Sequence, residues 1–256
     1  MDHSVAIVTG ASQGIGRATA IRLSSDFKSV VLAARNEKAL QETAGAVRSA
    51  GAEPLALALD LRQPDAAKTL VSKALEKFGR IDALLNIAGA VPQVDILEMT
   101  DAQWDDGLAL KLHGARRTTI HAWDALKKSK GSVVFMSGNS ASEPKPPFAA
   151  VATINAAIVA MAKAFSEKGI KDGVQVNSVL PGPVLTNRRL SYMEKYAPLH
   201  NMTVEEALQK FPAEAGIARY GQPEDIANLM AFLVSPAGKW MTGSAVRMDG
   251  GEIKTT

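Results

Sequence analysis

The chain has 256 residues, and its 46% hydrophobic and 21% charged residues are ordinary for a globular protein of one α/β domain. A formal net charge of +3, without a long basic run, gives little reason to expect a nucleic-acid partner. The absence of cysteine excludes disulfides and thiolate metal ligands, and it fits a reducing compartment. The sequence predicts neither a membrane span nor a signal peptide, so we expect a cytoplasmic protein.

Short apolar runs alternate with helical patterns along the whole chain. The runs predict strands at Val5–Thr9, Ser29–Ala34, Pro54–Asp60, Ile81–Gly89, Gly131–Ser137, Val174–Leu180 and Ser244–Met248. One predicted helix begins with a capping box at Thr100 and reaches about Lys128, and another runs from about Phe148 to Lys168. This alternation predicts a doubly wound parallel sheet of about seven strands, flanked by helices. Without linkers or repeats, residues 1–256 are expected to form a single domain.

A glycine-rich loop follows the first strand, with glycines at Gly10, Gly14 and Gly16. Glycine lets the backbone turn sharply and lets a diphosphate approach, while the N-terminus of the next helix offers unpaired N–H groups. The loop therefore predicts a phosphate-binding site, although such turns also occur as plain connections between a strand and a helix.

Further motifs follow in order: Asp60, Asn86-Ile-Ala-Gly89, Asn177, Pro181-Gly-Pro-Val-Leu-Thr186, Gly221-Gln-Pro-Glu-Asp225 and Asp249-Gly-Gly251. Their order and spacing resemble the short-chain dehydrogenase/reductase family over essentially the whole chain. The resemblance implies a Rossmann-type fold that binds a nicotinamide dinucleotide and acts on a small molecule. It also implies a homodimer or homotetramer.

The glycine loop, the end of the second strand and the resemblance together indicate a set of cofactor-binding residues: Gly10, Ser12, Gln13, Gly14, Ile15, Gly16, Arg35, Asp60, Leu61, Asn86, Ala88, Gly89, Pro181, Gly182, Val184 and Thr186. A carboxylate at the end of the second strand would repel the 2′-phosphate of NADP. Here that place carries Ala34 and then Arg35, whose planar guanidinium suits a phosphate. We therefore favour NADP(H) over NAD(H), the alternative being a solvated Arg35 without a ligand.

The family's catalytic pattern is an Asn, a Ser and a Tyr-x-x-x-Lys pair, and this chain departs from it at every position. Lys111 stands for the asparagine, Gly138 for the serine, Val151 for the tyrosine and Asn155 for the lysine. No tyrosine occurs before Tyr192, so a shifted register does not restore the pattern. The proton donor of the family is therefore missing.

Lysine and asparagine have exchanged places between two neighbouring helices. We hypothesise that Lys111 still reaches the nicotinamide ribose or a substrate oxygen, the alternative being a lysine that extends to solvent. Lys111, Asn155 and Ser140 are the candidate catalytic residues. Glu143 is an acid only if burial raises its pKa, and His113 is expected to point away from Lys111. No grouping of residues has the spacing of a metal site.

A lid over the substrate is expected at about residues 184–217, where Arg188 and Arg189 either clamp an anion or remain solvated. The leading interpretation is an NAD(P)-dependent oxidoreductase that reduces a carbonyl or an activated C=C bond with a non-standard active site. One alternative is a dinucleotide-binding protein without activity that serves as a regulatory or scaffold subunit. Another is a non-redox lyase or isomerase that uses the same cleft.

Overall fold

A parallel sheet of seven strands forms the centre of the computed structural model, which describes residues 3–255. The strands are β1 Val5–Thr9, β2 Ser29–Ala34, β3 Glu53–Ala58, β4 Ala83–Asn86, β5 Ser132–Met136, β6 Gln175–Pro181 and β7 Ala245–Met248. Their order is β3-β2-β1-β4-β5-β6-β7. From β1 the chain adds strands first toward one edge of the sheet, as β2 and β3, and then toward the other edge, beginning with β4. The boundary between β1 and β4 is therefore a topological switch point, and ligands bind at such points in open α/β sheets. The doubly wound fold predicted from the sequence is confirmed.

Helices cover both faces of the sheet. Successive side chains of a strand point to opposite faces, and apolar strand side chains on each face pack against helices. They are α1 Gly14–Leu23, α2 Glu37–Ser49, α3 Ala66–Phe78, α4 Asp101–Gly107, α5 Ala115–Ser129, α6 Ala149–Asp172, α7 Asn187–Leu199, α8 Val204–Glu214 and α9 Pro223–Val234. Ala6 and Val8 pack with α1, α2 and α9 on one face. Val5 and Ile7 pack with α3, α5 and α6 on the other face. Strands that are buried on both faces have nearly continuous apolar sequences, and this is why the strands could be predicted from the sequence.

The strand β4 is shorter than the sequence predicts, since it ends at Asn86 rather than at Gly89. The backbone N–H groups of Ile87 and Ala88 donate to the side-chain oxygen of Thr9, at 2.9 and 3.0 Å, instead of continuing the ladder. The chain thus leaves the sheet at this point and opens a cleft beside β1.

The long helix predicted after Thr100 is present but not uniform. The capping box of Thr100 and Gln103 begins α4 as predicted, and α5 ends at Ser129. Between them, Leu108–Gly114 is π-helical and contains Lys111. Such a widened turn occurs often at functional sites because it redirects side chains from their α-helical positions.

One segment, Pro146–Asp172, is long and apolar enough to cross a membrane by length and composition alone. It includes α6, whose residues Ile158 and Ala162 are buried in the core against the sheet. Core helices of globular proteins pass the same test, so this weak signal is explained by packing.

Helices α7 and α8 form a small layer over the carboxyl ends of the strands. Their own apolar cluster contains Met193, Ala197, Ala207 and Tyr220. This layer occupies the region expected to be the lid. The segment begins with three non-helical residues before α7, and a short connection at residues 200–203 joins α7 to α8.

Candidate active site

A cleft of about 1020 Å³ lies at the carboxyl ends of the strands, beneath α7. It extends from the end of β2 to the lid. Many residues named from the sequence lie in its wall: Gly10, Ser12, Gln13, Gly14, Ile15, Gly16, Arg35, Asp60, Leu61, Ala88, Gly89, Pro181, Gly182 and Thr186. The candidate catalytic residues Lys111, Ser140 and Asn155 line the same cleft.

The glycine loop curves closely around the start of α1, and a side chain at Gly16 would collide with the loop backbone. A Cβ on Gly16 would lie 2.1 Å from the carbonyl oxygen of Gly10, and Gly10 and Gly14 have positive φ angles of 70° and 53°. Gln13 precedes α1 in an extended conformation, and its side chain makes no capping hydrogen bond. The first N–H groups of α1 are therefore available to an anion at the end of the helix dipole. These features fit the diphosphate of a dinucleotide.

Charged side chains lie at and behind the end of the cleft next to β2, where Arg35 and Asp60 line the wall. Arg62 bonds Asp106 through both its Nε and its Nη2, the latter at 2.9 Å, and its Nη1 donates to Asp60 Oδ1 at 3.3 Å. The Arg62 hydrogen bond lowers the pKa of Asp106, and the charge of Arg35 adds to the effect. Among residues 3–255 the exposed Arg35 has no side-chain hydrogen bond or ion pair. It is therefore a free cation at the place predicted to meet a 2′-phosphate.

The side chains of two residues expected along the cofactor lie outside the cleft wall, and their role in binding stays a prediction. Asn86 is buried below the cleft, where its Nδ2 donates to Thr119 Oγ1 at 3.0 Å. Val184 is buried in the core and does not line the cleft. Asn86 precedes the wall residue Ile87 in the sequence, but its side chain points into the protein because neighbouring side chains along an extended chain alternate in direction.

Lys111 lies in the part of the cleft wall that contains the candidate catalytic residues. Its Nζ donates to the carbonyl oxygen of Ser137 at 3.1 Å and forms a short hydrogen bond to Asn155 Oδ1. Asn155 Nδ2 in turn donates to Ser140 Oγ at 2.9 Å. A Cβ on Gly89 would lie 3.0 Å from Lys111 Cδ, so the missing side chain at Gly89 leaves room for the lysine stem. The exchanged lysine and asparagine are thus in direct contact.

The pKa of the Lys111 amine lies near neutral pH. Burial, and to a smaller extent the positive charge of Arg188, together lower its pKa from 10.5 to about 7. An ammonium has more donors than its two protein acceptors use, so a hydrogen remains for a ligand oxygen. A group with a pKa near the working pH is suited to acid–base catalysis.

Gly138 and Val151 line the cleft at the positions of the missing serine and tyrosine. A Cβ on Gly138 would lie 2.6 Å from Asn155 Nδ2, so the glycine makes space for the asparagine. Ser137 is not a substitute for the missing serine, because its hydroxyl donates to the carbonyl oxygen of Asn155 at 2.8 Å and is buried.

Other candidate acids are less well placed than Lys111. Glu143 lines the cleft, but its side chain is exposed to solvent rather than buried. His113 does not line the cleft, and its Nδ1 is buried without a hydrogen-bond partner among the described residues. His200 is exposed at the end of α7, where it stacks on Tyr196 with ring centroids 3.9 Å apart.

The lid supplies two arginines to the far end of the cleft. Arg188 Nη2 donates to the carbonyl oxygen of Val91 at 2.8 Å. The guanidinium carbon of Arg189 lies 5.4 Å from the ring centroid of Tyr192 and 4.8 Å from that of Phe211. Tyr192 also contacts Phe148 across the cleft, with ring centroids 5.4 Å apart. The lid thus brings cations and aromatic rings over the site.

Sequence reasoning missed Glu252, which lines the cleft and accepts a short hydrogen bond from Asn139 Nδ2. Burial raises the pKa of this carboxyl group, while the hydrogen bond from Asn139 and the charges of Arg189 and Lys145 act against the rise. Gly250 and Gly251 precede it with positive φ angles of 67° and 83°. That double glycine turn was the available signal, since it returns the chain to the site.

Metal binding has no support in the part of the chain that the structure describes. No group of His, Cys, Asp or Glu between residues 3 and 255 could hold an ion.

Comparisons with known proteins agree with this architecture. The profile of a family described as enoyl-(acyl carrier protein) reductase matches residues 10–252. A 3-oxoacyl-[acyl-carrier-protein] reductase from Synechocystis is 31% identical over 252 residues, which are 97% of this chain and 96% of the relative. L-sorbose reductase from Gluconobacter frateurii, solved with NADPH and L-sorbose, is 28% identical and has a TM-score of 0.93 with complete coverage of both chains. An actinorhodin polyketide ketoreductase solved with NADPH is 30% identical, with a TM-score of 0.93 and coverage of 98% of this chain and 97% of that one.

The fold and the site define a dinucleotide-binding α/β oxidoreductase. The chain belongs to the short-chain dehydrogenase/reductase family, as its motifs implied.

Proposed function

We propose that this protein is an NADPH-dependent reductase of a small carbonyl compound in which Lys111 replaces the family's tyrosine as the proton donor. The observation that carries the proposal is the position of Lys111, held between Ser137 and Asn155 in the wall of the cofactor cleft. The relatives solved with NADPH, and the reductase names of the others, support the same reaction type.

The preference for NADPH is supported by the free cation Arg35 at the end of β2. A guanidinium binds a phosphate with parallel hydrogen bonds, and no carboxylate at the end of that strand opposes it. The diphosphate would be held by Gly10, Gly14 and Gly16 and by the first N–H groups of α1. When bound, the reduced nicotinamide supplies the hydride.

Lys111 would complete the reduction of a ketone to an alcohol. As the ammonium it donates a proton to the carbonyl oxygen while the carbonyl carbon receives the hydride, and the neutral amine then regains a proton from solvent. Asn155 and the carbonyl of Ser137 hold the amine in place, and Ser140 holds Asn155. Hydride transfer needs an oriented acceptor, and general acid catalysis typically adds about 10²–10⁴-fold.

Reduction of an activated C=C bond is the second candidate. It is favoured by the same lysine, which would protonate the product, and by the family description as an enoyl reductase. The homodimer or homotetramer and the cytoplasmic location stay predictions.

The test is a titration with NADPH and NADH, followed by a panel of ketones and enones with each cofactor. We expect NADPH to bind at least about tenfold more tightly, which corresponds to about 1.4 kcal/mol, and to be oxidised by a member of the panel. Arg35→Ser should remove the preference, while Arg48→Ser, an exposed site on α2, should not. Tight NADPH binding without turnover on any substrate would instead favour the inactive binding protein. Failure to bind either nucleotide would contradict both.

A further inference from the structure

The guanidinium of Arg189 faces the substrate end of the cleft. The residue lies in the first turn of α7, where its backbone N–H donates to Thr186 Oγ1 at 3.4 Å. Its guanidinium carbon lies 4.8, 5.4 and 6.0 Å from the ring centroids of Phe211, Tyr192 and Tyr220. These rings hold the side chain in position by cation–π attraction, and they accept no strong in-plane hydrogen bond from it.

The side-chain N–H groups of Arg189 have no protein acceptor within the described part of the chain. Among residues 3–255 its side chain makes no hydrogen bond, and no carboxylate lies within the 4.0 Å of an ion pair. Glu252 is the acid whose charge acts on it, but the carboxylate of Glu252 is bonded to Asn139. A partly buried guanidinium without acceptors is unfavourable, because its desolvation is not compensated.

Positive charges accumulate along this half of the cleft. Arg189 lies close enough to Arg188 to disfavour the charge of Arg188, and Arg188 in turn disfavours the charge of Lys111. Lys145 lines the same cavity, whose acidic lining residues are Glu143, Glu252 and, at the end next to β2, Asp60. An anion bound at Arg189 would relieve this repulsion and would satisfy the unpaired N–H groups.

We infer that the substrate carries an anionic oxygen group, a carboxylate or a phosphate, which Arg189 binds through the free edge of its guanidinium. The inference rests on the proposed reductase function and names its substrate class, an oxo acid or an oxo phosphate. The planar donor pair of arginine matches the paired oxygens of both groups. Arg189 thereby fixes one end of the molecule, while Lys111 meets the carbonyl at the other.

Kinetics with three matched substrates test this inference. The probes are straight-chain methyl ketones that end in a carboxylate, a phosphate monoester or a neutral primary amide, at several chain lengths, with saturating NADPH. We expect the KM of one anionic series to be at least about tenfold below that of the amide series, as charge-assisted hydrogen bonds allow. The anionic series with the lower KM shows whether the substrate carries a carboxylate or a phosphate. Equal KM values for all three series would overturn the inference.

Variants separate binding at Arg189 from a general effect of charge. Arg189→Gln should raise the KM for the preferred anion by about 10–100-fold and change the KM for the amide by less than about threefold. Arg189→Lys, which keeps the charge but lacks the planar donor pair, should give an intermediate value. Arg48→Gln removes the same charge from an exposed site on α2 and should leave both KM values unchanged. An equal loss for anion and amide in Arg189→Gln would contradict the inference.

Binding measurements distinguish this inference from the proposed function. If no ketone is reduced, the reductase proposal fails, but calorimetric titration of the same oxo acids and phosphates into the protein with NADP⁺ still reports the anion site. Weaker binding in Arg189→Lys, together with circular dichroism and unfolding curves like those of the unmodified protein, supports the site even if Arg189→Gln does not fold. Binding that is equally strong in the folded variants overturns it.

Discussion

Gly138 and Asn155 are complementary in space, since a Cβ on Gly138 would lie 2.6 Å from Asn155 Nδ2. The backbone of Gly138 is extended, with φ of 171°, so any residue could adopt it and steric contact alone requires glycine. The missing serine and the missing lysine of the family pattern are therefore linked. Restoring a side chain at residue 138 would displace the asparagine that holds Lys111.

The variant Gly138→Ala tests this link. We expect it to lower the free energy of unfolding by about 1–3 kcal/mol, as overpacking of a closely packed site does, and to reduce turnover because Lys111 loses its partner. In Gly138→Ala/Asn155→Ala the close contact is gone, so the two destabilisations should not add. Urea unfolding of both single variants and the double variant measures the coupling, and simple additivity would contradict the steric account.

Removal of the Lys111 amine should affect the chemical step more than cofactor binding. We expect Lys111→Met to lower kcat for ketone reduction by about 10²–10⁴-fold, because the general acid is lost, while the Kd for NADPH stays within about threefold. Lys128→Met makes the same exchange at an exposed position on α5 and should retain full activity. Unchanged kcat in Lys111→Met would exclude the lysine as the proton donor.

The lowered pKa of Lys111 predicts a pH dependence with a definite sign. Because the pKa is about 7, the ammonium form that reduction requires is lost as the pH rises through this value. We expect kcat/KM for reduction to fall above about pH 7 and kcat/KM for the reverse oxidation to rise. Lys111→Met should show neither change with pH. A reduction rate that stays constant from pH 6 to 9, on the order of three units around this pKa, would argue against this assignment.

The same shift predicts how stability changes with pH. Between about 7 and 10.5 the unfolded chain binds the Lys111 proton and the folded chain does not, so the free energy of unfolding should increase with pH in this window. For this one group the slope of the unfolding free energy is at most about 1.4 kcal/mol per pH unit. The stability gained at high pH is lost as the pH falls to about 7. The difference in unfolding free energy between the unmodified protein and Lys111→Met, followed over pH, measures it.

The glycine loop gives a prediction with an internal control. In Gly16→Ala the new Cβ would lie 2.1 Å from the carbonyl oxygen of Gly10, so the loop must open and dinucleotide binding should be lost. Gly45→Ala lies in α2 with nothing within 4 Å of its new Cβ, and it should stabilise the protein by about 0.5–1 kcal/mol. Thermal unfolding with and without NADPH compares the two, and a Gly16→Ala protein that is still stabilised by NADPH would disprove the account.

Local sequence determined much of the fold. The bounds of β2 agree with those predicted, and the capping box of Thr100 begins α4, because apolar runs and capping residues act within a few residues of one another. The glycine loop could also be recognised from its spacing, whereas the resemblance to the family assigned Lys111, Gly138, Val151 and Asn155 to the catalytic positions.

Only the tertiary structure decided what these residues do to each other. Lys111 and Asn155 are 44 residues apart, and their contact depends on the π-helical turn Leu108–Gly114, for which the sequence carries no recognisable signal. Likewise Asn86 points to Thr119 below the cleft, and Glu252 returns to it after a double glycine turn. Local patterns specify backbone conformation, whereas burial, pKa and cross-helix hydrogen bonds arise from packing between distant segments.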